Sequence, residues 1–82
     1  MKEVTYTRAA IRVLRRLPAN VAARIEAKVN LYAADPAALA NNVTALTGRE
    51  AVRLRADQWR VILHDGVVLA VLDIGARGSI YD

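Results

Sequence analysis

The 82-residue sequence has no cysteine, which excludes a disulfide framework, a thiolate metal site and a thiol nucleophile and is consistent with a reducing compartment. It also lacks a long apolar run. The opening Met1-Lys2-Glu3-Val4 is not the start of a signal peptide, and no stretch approaches the roughly 20 apolar residues of a membrane span. A soluble cytoplasmic protein without membrane contact is the expectation. No low-complexity segment, internal repeat or linker breaks the chain, and 82 residues hold too little apolar material for two cores. Residues 1–82 therefore read as a single domain, small enough for a partner protein to add materially to its stability.

Acidic residues are the minority charge, 8 Asp and Glu against 12 Lys and Arg, for a net charge of +4. All of the cations except Lys2 and Lys28 are arginine. The planar guanidinium fork suits bidentate phosphate contacts, so the skew favours a polyanionic partner over a merely soluble basic surface.

Apolar spacing divides the chain in two. Lys2 to Tyr6 is short and β-prone, and Thr7 has the residue type of an N-cap for a helix over Arg8 to Leu17. Ala10, Val13, Leu14 and Leu17 share one face of it, and Arg8, Arg12, Arg15 and Arg16 share the other. Pro18 ends this helix, and a second follows from Ala19 to Ala34 with Val21, Ile25, Val29 and Tyr32 as its apolar stripe. So short a connection predicts an antiparallel helix hairpin. Asp35-Pro36 stops the second helix, and Ala37 to Gly48, containing Asn41-Asn42, reads as a connecting segment with room for one more helical turn.

From Glu50 onward the period becomes two. Val52 and Leu54 alternate with Arg53 and Arg55, and Trp59, Val61 and Leu63 alternate with Gln58, Arg60, Ile62 and His64. Asp65-Gly66 reads as a two-residue hairpin turn into an apolar strand from Val67 to Ile74. Gly75 to Gly78 then reads as a loop carrying Arg77, with Ser79-Ile80-Tyr81 as a short edge strand. The expected fold class is α+β: a short N-terminal strand and an antiparallel helix hairpin packed on one face of a three- to four-stranded antiparallel sheet.

If Val52 and Leu54 face the helices, Arg53 and Arg55 face away, and pairing with the next strand brings Arg60 beside them. Guanidinium groups gathered on one surface repel one another, an arrangement natural where an anion sits among them; a solvated strand face is the alternative. For proton transfer the chain offers Tyr81, His64, Asp73 and Asp57, with no paired histidines or glutamates. His64, beside a turn, reads as solvated before catalytic. Asp73 is an acid–base candidate or an anchor for Arg77. Tyr81 is a packing residue or an acid–base group with its pKa lowered by nearby cations.

Several stretches carry a family resemblance: Leu14-Arg15-Arg16-Leu17-Pro18, Ala34-Asp35-Pro36, Asn41-Asn42-Val43-Thr44-Ala45-Leu46-Thr47-Gly48, Val52-Arg53-Leu54-Arg55 to Trp59-Arg60-Val61-Ile62, and Ile74-Gly75-Ala76-Arg77-Gly78 to Tyr81. In this order they resemble the RelE-like branch of the RelE/ParE superfamily, toxins of bacterial type II toxin-antitoxin pairs. The most specific part is an Arg-Leu-Arg strand, an aromatic-Arg-Val strand, and a Gly-x-Arg loop followed by tyrosine.

The resemblance implies a ribosome-dependent mRNA endoribonuclease that uses no metal or other cofactor, inhibits translation and is held inactive by a cognate antitoxin. It implies that Arg60 holds the scissile phosphate, Arg77 stabilises transition-state charge, and Tyr81 stacks on a base or acts as general base. Arg53 matches a basic residue that is commonly lysine, and Arg55 is its RNA-binding neighbour. One position departs: where the fullest basic sets carry a further lysine, two residues before Arg53, this chain has Ala51. Arginine is a poor base, so the departure shifts proton transfer toward Tyr81. Two other readings share the resemblance, a ParE-like inhibitor of DNA gyrase and a catalytically weak toxin acting mainly in an antitoxin-bound autorepressor complex. The stripe of Arg8, Arg12, Arg15 and Arg16 reads as a solvated helix face, a ribosomal RNA contact or a landing site for an acidic antitoxin.

Overall fold

The computed structural model describes residues 1–46 and 50–78. In chain order it contains β1 (Val4–Tyr6), α1 (Arg8–Arg16), α2 (Ala19–Ala34), a 3-10 segment (Pro36–Asn42), β2 (Val43–Ala45), β3 (Val52–Ala56), β4 (Trp59–Asp65) and β5 (Leu69–Ala76). The α+β class stands, with the helix hairpin against a five-stranded sheet in the order β1-β5-β4-β3-β2.

Local chemistry sets the element ends. Thr7 is extended, and its Oγ1 accepts from the Ala10 N–H at 3.2 Å, which satisfies one of the orphan donors at the start of α1. The same hydroxyl donates to the Leu72 carbonyl at 2.6 Å and so ties that helix end to β5. Pro18 separates the helices, and its carbonyl accepts from the Val21 and Ala22 N–H groups at 3.0 Å. Asp35 closes α2 by donating its N–H to the Leu31 carbonyl at 2.8 Å, just before Pro36.

The core lies between the hairpin and one face of the sheet. Ala10 from α1, Ile25, Val29 and Tyr32 from α2, and Leu39 from the 3-10 segment meet Leu54, Val61, Leu63, Leu69, Val71 and Ile74 from the strands. Each fully buried Leu, Ile or Val contributes about 1.5–3 kcal/mol relative to exposure.

Four features differ from the sequence expectation. The N-terminal strand is part of the sheet, pairing parallel to β5 with Val4 opposite Leu69. The segment read as a connection supplies β2, antiparallel to β3 with Thr44 opposite Arg53. Asp65-Gly66 is no two-residue turn: Asp65 pairs with Leu69, leaving Gly66, Val67 and Val68 in the loop, with Val67 97% exposed. The two-residue turn lies at Asp57-Gln58, between Ala56 and its partner Trp59, and Asp57 takes the positive φ of 56° that it requires. Finally, β5 continues through Gly75 and Ala76, so only Arg77 and Gly78 of the expected loop form the turn, with Gly78 at φ 82°. The edge strand expected at Ser79-Ile80-Tyr81 lies outside the described residues.

A register shift at Ile62/Leu63 makes Leu72 the extra residue of β5. It changes the phase of the strand, so that Val71 and Ile74, three apart, both reach the core.

The phenol of Tyr32 is held above its ordinary pKa of 10.0, first by burial and then by Asp65, with Lys2 acting the other way. A raised pKa in the folded state gives stability that is complete below the unfolded value and is lost as pH rises through the folded one. Thermal melts of Tyr32→Phe and the parent from pH 8 to 11 should therefore show a smaller alkaline loss in the variant. Identical alkaline slopes would contradict the assignment.

Candidate functional site

Strand alternation and sheet order place the basic residues of β3 and β4 on the face turned away from the helices. Leu54 and Ala56 pack in the core, whereas Arg53 is half-buried and Arg55 exposed. Register then aligns the strands: Arg55 is directly opposite Arg60, and Arg53 is opposite Ile62. Directly opposed side chains of an antiparallel pair have Cβ atoms about 4.5–5.5 Å apart, where two like charges are mutually destabilising. A bound anion relieves that repulsion.

Arg60 is the most enclosed of the three, 9% exposed. Its Nη1 donates to the carbonyls of Asp57 and Trp59, both at 3.2 Å. These carbonyl acceptors offset part of the desolvation of the guanidinium and fix its position from the adjacent turn. Asp57 contributes by its backbone, and its positive φ is part of the turn that presents that carbonyl.

Arg53, Arg55 and Arg60 line a cleft of about 110 Å³ with Asn41, Asn42 and Thr44. Among the described residues, no acidic side chain lines it.

Arg77 is exposed immediately after β5. Its N–H donates to the Gln58 carbonyl at 2.7 Å, which joins it to the same end of the sheet as the Asp57-Gln58 turn. Arg60 lies opposite Gly75 on β5, two residues before Arg77. The backbone thus brings Arg53, Arg55, Arg60 and Arg77 to one region. Tyr81 lies outside the described residues.

Of the other candidates, His64 and the α1 stripe lie apart from this region, whereas Asp73 stands opposite Ile62 on β5, in the same cross-strand row as Arg53. His64 is four residues along β4 from Arg60, about 13 Å at a strand's rise, and its Nε2 is 3.9 Å from Oε2 of the exposed Glu50. Asp73 Oδ1 accepts from the Ile74 N–H at 2.8 Å, a local contact beside the register shift. The Arg8, Arg12, Arg15 and Arg16 side chains line a separate groove of about 470 Å³ with Ile11. That groove is carried by α1, which packs on the core face of the sheet through Ala10, so the stripe and the cleft belong to opposite sides of the molecule. Among the described residues, no cluster of three His, Asp or Glu side chains is placed to hold a metal ion.

Asn41, Asn42 and Thr44 are cleft residues whose role the sequence pattern does not disclose. The signal available is the alternation of Asn42 and Thr44 about the half-buried Val43, legible only once this segment is known to be a strand.

No protein-family model matches the sequence, and no curated protein matches it. Among solved structures, a chain of the archaeal RelE–RelB complex from Pyrococcus horikoshii is similar with a TM-score of 0.80 and 21% identity, covering 95% of this chain and 97% of that one. A chain of the intact Escherichia coli RelBE toxin-antitoxin complex gives 0.73 at 20% identity, covering 93% and 96%. The isolated E. coli RelE toxin gives 0.71 at 18% identity, covering 94% of this chain and 85% of that one. At these identities the likeness is one of fold.

Proposed function

We propose, from the RelE fold and the arginine cleft it carries, that this chain is a single-domain toxin of a type II toxin-antitoxin pair, a cytoplasmic endoribonuclease that cuts mRNA on the ribosome without a metal. The observation that carries the reading is the opposed Arg55–Arg60 pair, with Arg53 one step along the same face and Arg77 tied by its backbone to the adjoining turn.

In the proposed reaction the RNA 2'-oxygen loses its proton and attacks the adjacent phosphorus. The phosphorus–5'-oxygen bond then breaks, leaving a 2',3'-cyclic phosphate and a protonated 5'-hydroxyl. Arg60 holds the scissile phosphate, Arg77 stabilises the extra charge of the crowded phosphorane, and Arg53 and Arg55 bind the flanking RNA. Tyr81 stacks on a base or takes the 2'-hydroxyl proton. Ala51 lines a different cleft, with Val52 and His64, and supplies no charge, so a second base from that position is not part of the mechanism.

The partner is a cognate antitoxin, in keeping with the RelE–RelB complexes that share this fold. Arg8, Arg12, Arg15 and Arg16 are the proposed contacts for ribosomal RNA or antitoxin, since phosphate contacts position a protein without reading sequence.

The test pairs two assays: mapping of mRNA 5' ends after adding the protein to translating ribosomes, and gyrase supercoiling with the same preparation. New 5' ends within translated codons, with supercoiling unaffected, are expected. Intact mRNA with blocked supercoiling would replace this reading with gyrase inhibition.

A further inference from the structure

The cleft has a second wall whose chemistry differs from that of the arginines. Thr44 is opposite Arg53 in the β2–β3 ladder and Val43 is opposite Leu54, so continuing the same register sets Asn42 beside Arg55. Asn42 and Thr44 flank the core-facing Val43 and share the open face, and Asn41 completes the wall at the end of the 3-10 segment.

A guanidinium offers donors alone, which match the acceptor-only oxygens of a phosphate. A carboxamide presents an acceptor and a donor side by side, and a hydroxyl can be either. That is the pattern of a nucleobase edge, which phosphate does not share. Among the described residues, the hydrogen bonds leave the Asn41, Asn42 and Thr44 side chains unengaged. They line the same cleft as Arg53, Arg55 and Arg60, which makes them neighbours of any nucleotide whose phosphate those arginines hold.

We infer that Asn41, Asn42 and Thr44 form a nucleobase-reading wall that sets which nucleotide is accepted beside the scissile phosphate. The preferred base is adenine, whose N6 donor and N7 acceptor meet a carboxamide in two hydrogen bonds. This inference rests on the proposed RNA-binding function. Its logic is the usual division of labour in nucleic-acid recognition: cations on the phosphate fix register, and neutral polar groups on the base edge select sequence.

The test is equilibrium binding of fluorescein-labelled, 2'-O-methylated hexanucleotides of adenine, uracil or cytosine, which cannot be cleaved, across a series of salt concentrations. The parent protein should bind the adenine oligonucleotide about tenfold or more tightly than the uracil one. In the double variant Asn41→Ala, Asn42→Ala the preference should shrink to about twofold, with uracil affinity and salt dependence retained, because the substitutions remove base recognition and leave the phosphate-binding cations in place. Thr44→Val, which keeps the side-chain shape, should give a partial loss. Arg55→Ala should weaken all three oligonucleotides alike and lower the logarithmic salt slope by about one. A preference that survives in a folded double variant, or a parent that binds adenine and uracil equally, overturns the inference and leaves RNA binding standing. A folded parent that binds none of the three overturns this inference as well, while the ribonuclease reading, which places the reaction on the ribosome, is decided separately by the mapping of mRNA 5' ends.

Discussion

Arg77→Ala is expected to slow mRNA cleavage by about 10²- to 10³-fold, the usual consequence of removing one fixed donor to a developing oxyanion. Induced growth inhibition should disappear, while the thermal midpoint moves by no more than a few degrees. The separation follows from position. Arg77 is exposed, and what it gives the fold is a backbone N–H to the Gln58 carbonyl, which alanine keeps. In the proposed reaction its side chain contributes chemistry, and being exposed it adds little packing, so fold and activity should part cleanly in this variant. Single-turnover cleavage on programmed ribosomes together with a thermal melt measures both. Equal toxicity in the variant and the parent would remove Arg77 from the site.

Leu54→Ala should act in the opposite way. Leu54 is fully buried between the two arginines of β3, and truncating a buried leucine costs about 2–5 kcal/mol through lost transfer energy and the cavity left behind. Set against a stability of about 5–15 kcal/mol for a natural domain, that is a large fraction. In a chain this short it should lower the thermal midpoint by about 10 °C or more. Activity should fall in step with the folded population as temperature rises and recover on cooling, because the arginines themselves are untouched. Val67→Ala provides the control: Val67 is 97% exposed, and its midpoint should stay close to the parent's. A Leu54→Ala midpoint within about 2 °C of the parent would contradict the packing of β3.

The parts of this fold legible in the sequence were those with local physical causes. Thr7 as N-cap, Pro18 as separator and Asp35-Pro36 as stop bound the two helices almost to the residue, since capping and proline geometry act within a turn. The alternation of Val52 to Arg55 and of Arg60 to Leu63 gave β3, β4 and the direction of their arginines. Features settled by distant partners were not legible. Val43–Ala45 is too short to show a period, and it is a strand because β3 offers it a ladder. The parallel pairing of Val4–Tyr6 depends on residues 69–71. Asp65-Gly66 carried a hairpin signal that the longer loop overrode, and the two-residue turn fell at Asp57-Gln58, where the sequence carries no glycine. In the candidate site, the grouping of Arg53, Arg55 and Arg60 followed from alternation, whereas Asn41, Asn42 and Thr44 entered with β2.

The sheet order has a consequence for how the molecule assembles. The three strands from β3 to β5 are joined by a two-residue turn and a three-residue loop, connections that close rapidly and with little entropic cost. The pairing of β1 with β5 must instead bring together nearly opposite ends of the chain. It lies at the far edge from β2, with one strand, β5, between β1 and β4, the nearer of the two strands that carry the cleft arginines. Fraying would therefore begin on the side where the chain is wired at longest range, and the arginines of β3 and β4 sit in the part that can form first and open last. The proposed site thus belongs to the locally connected part of the fold, and the long-range pairing of β1 with β5 closes the opposite edge of the sheet.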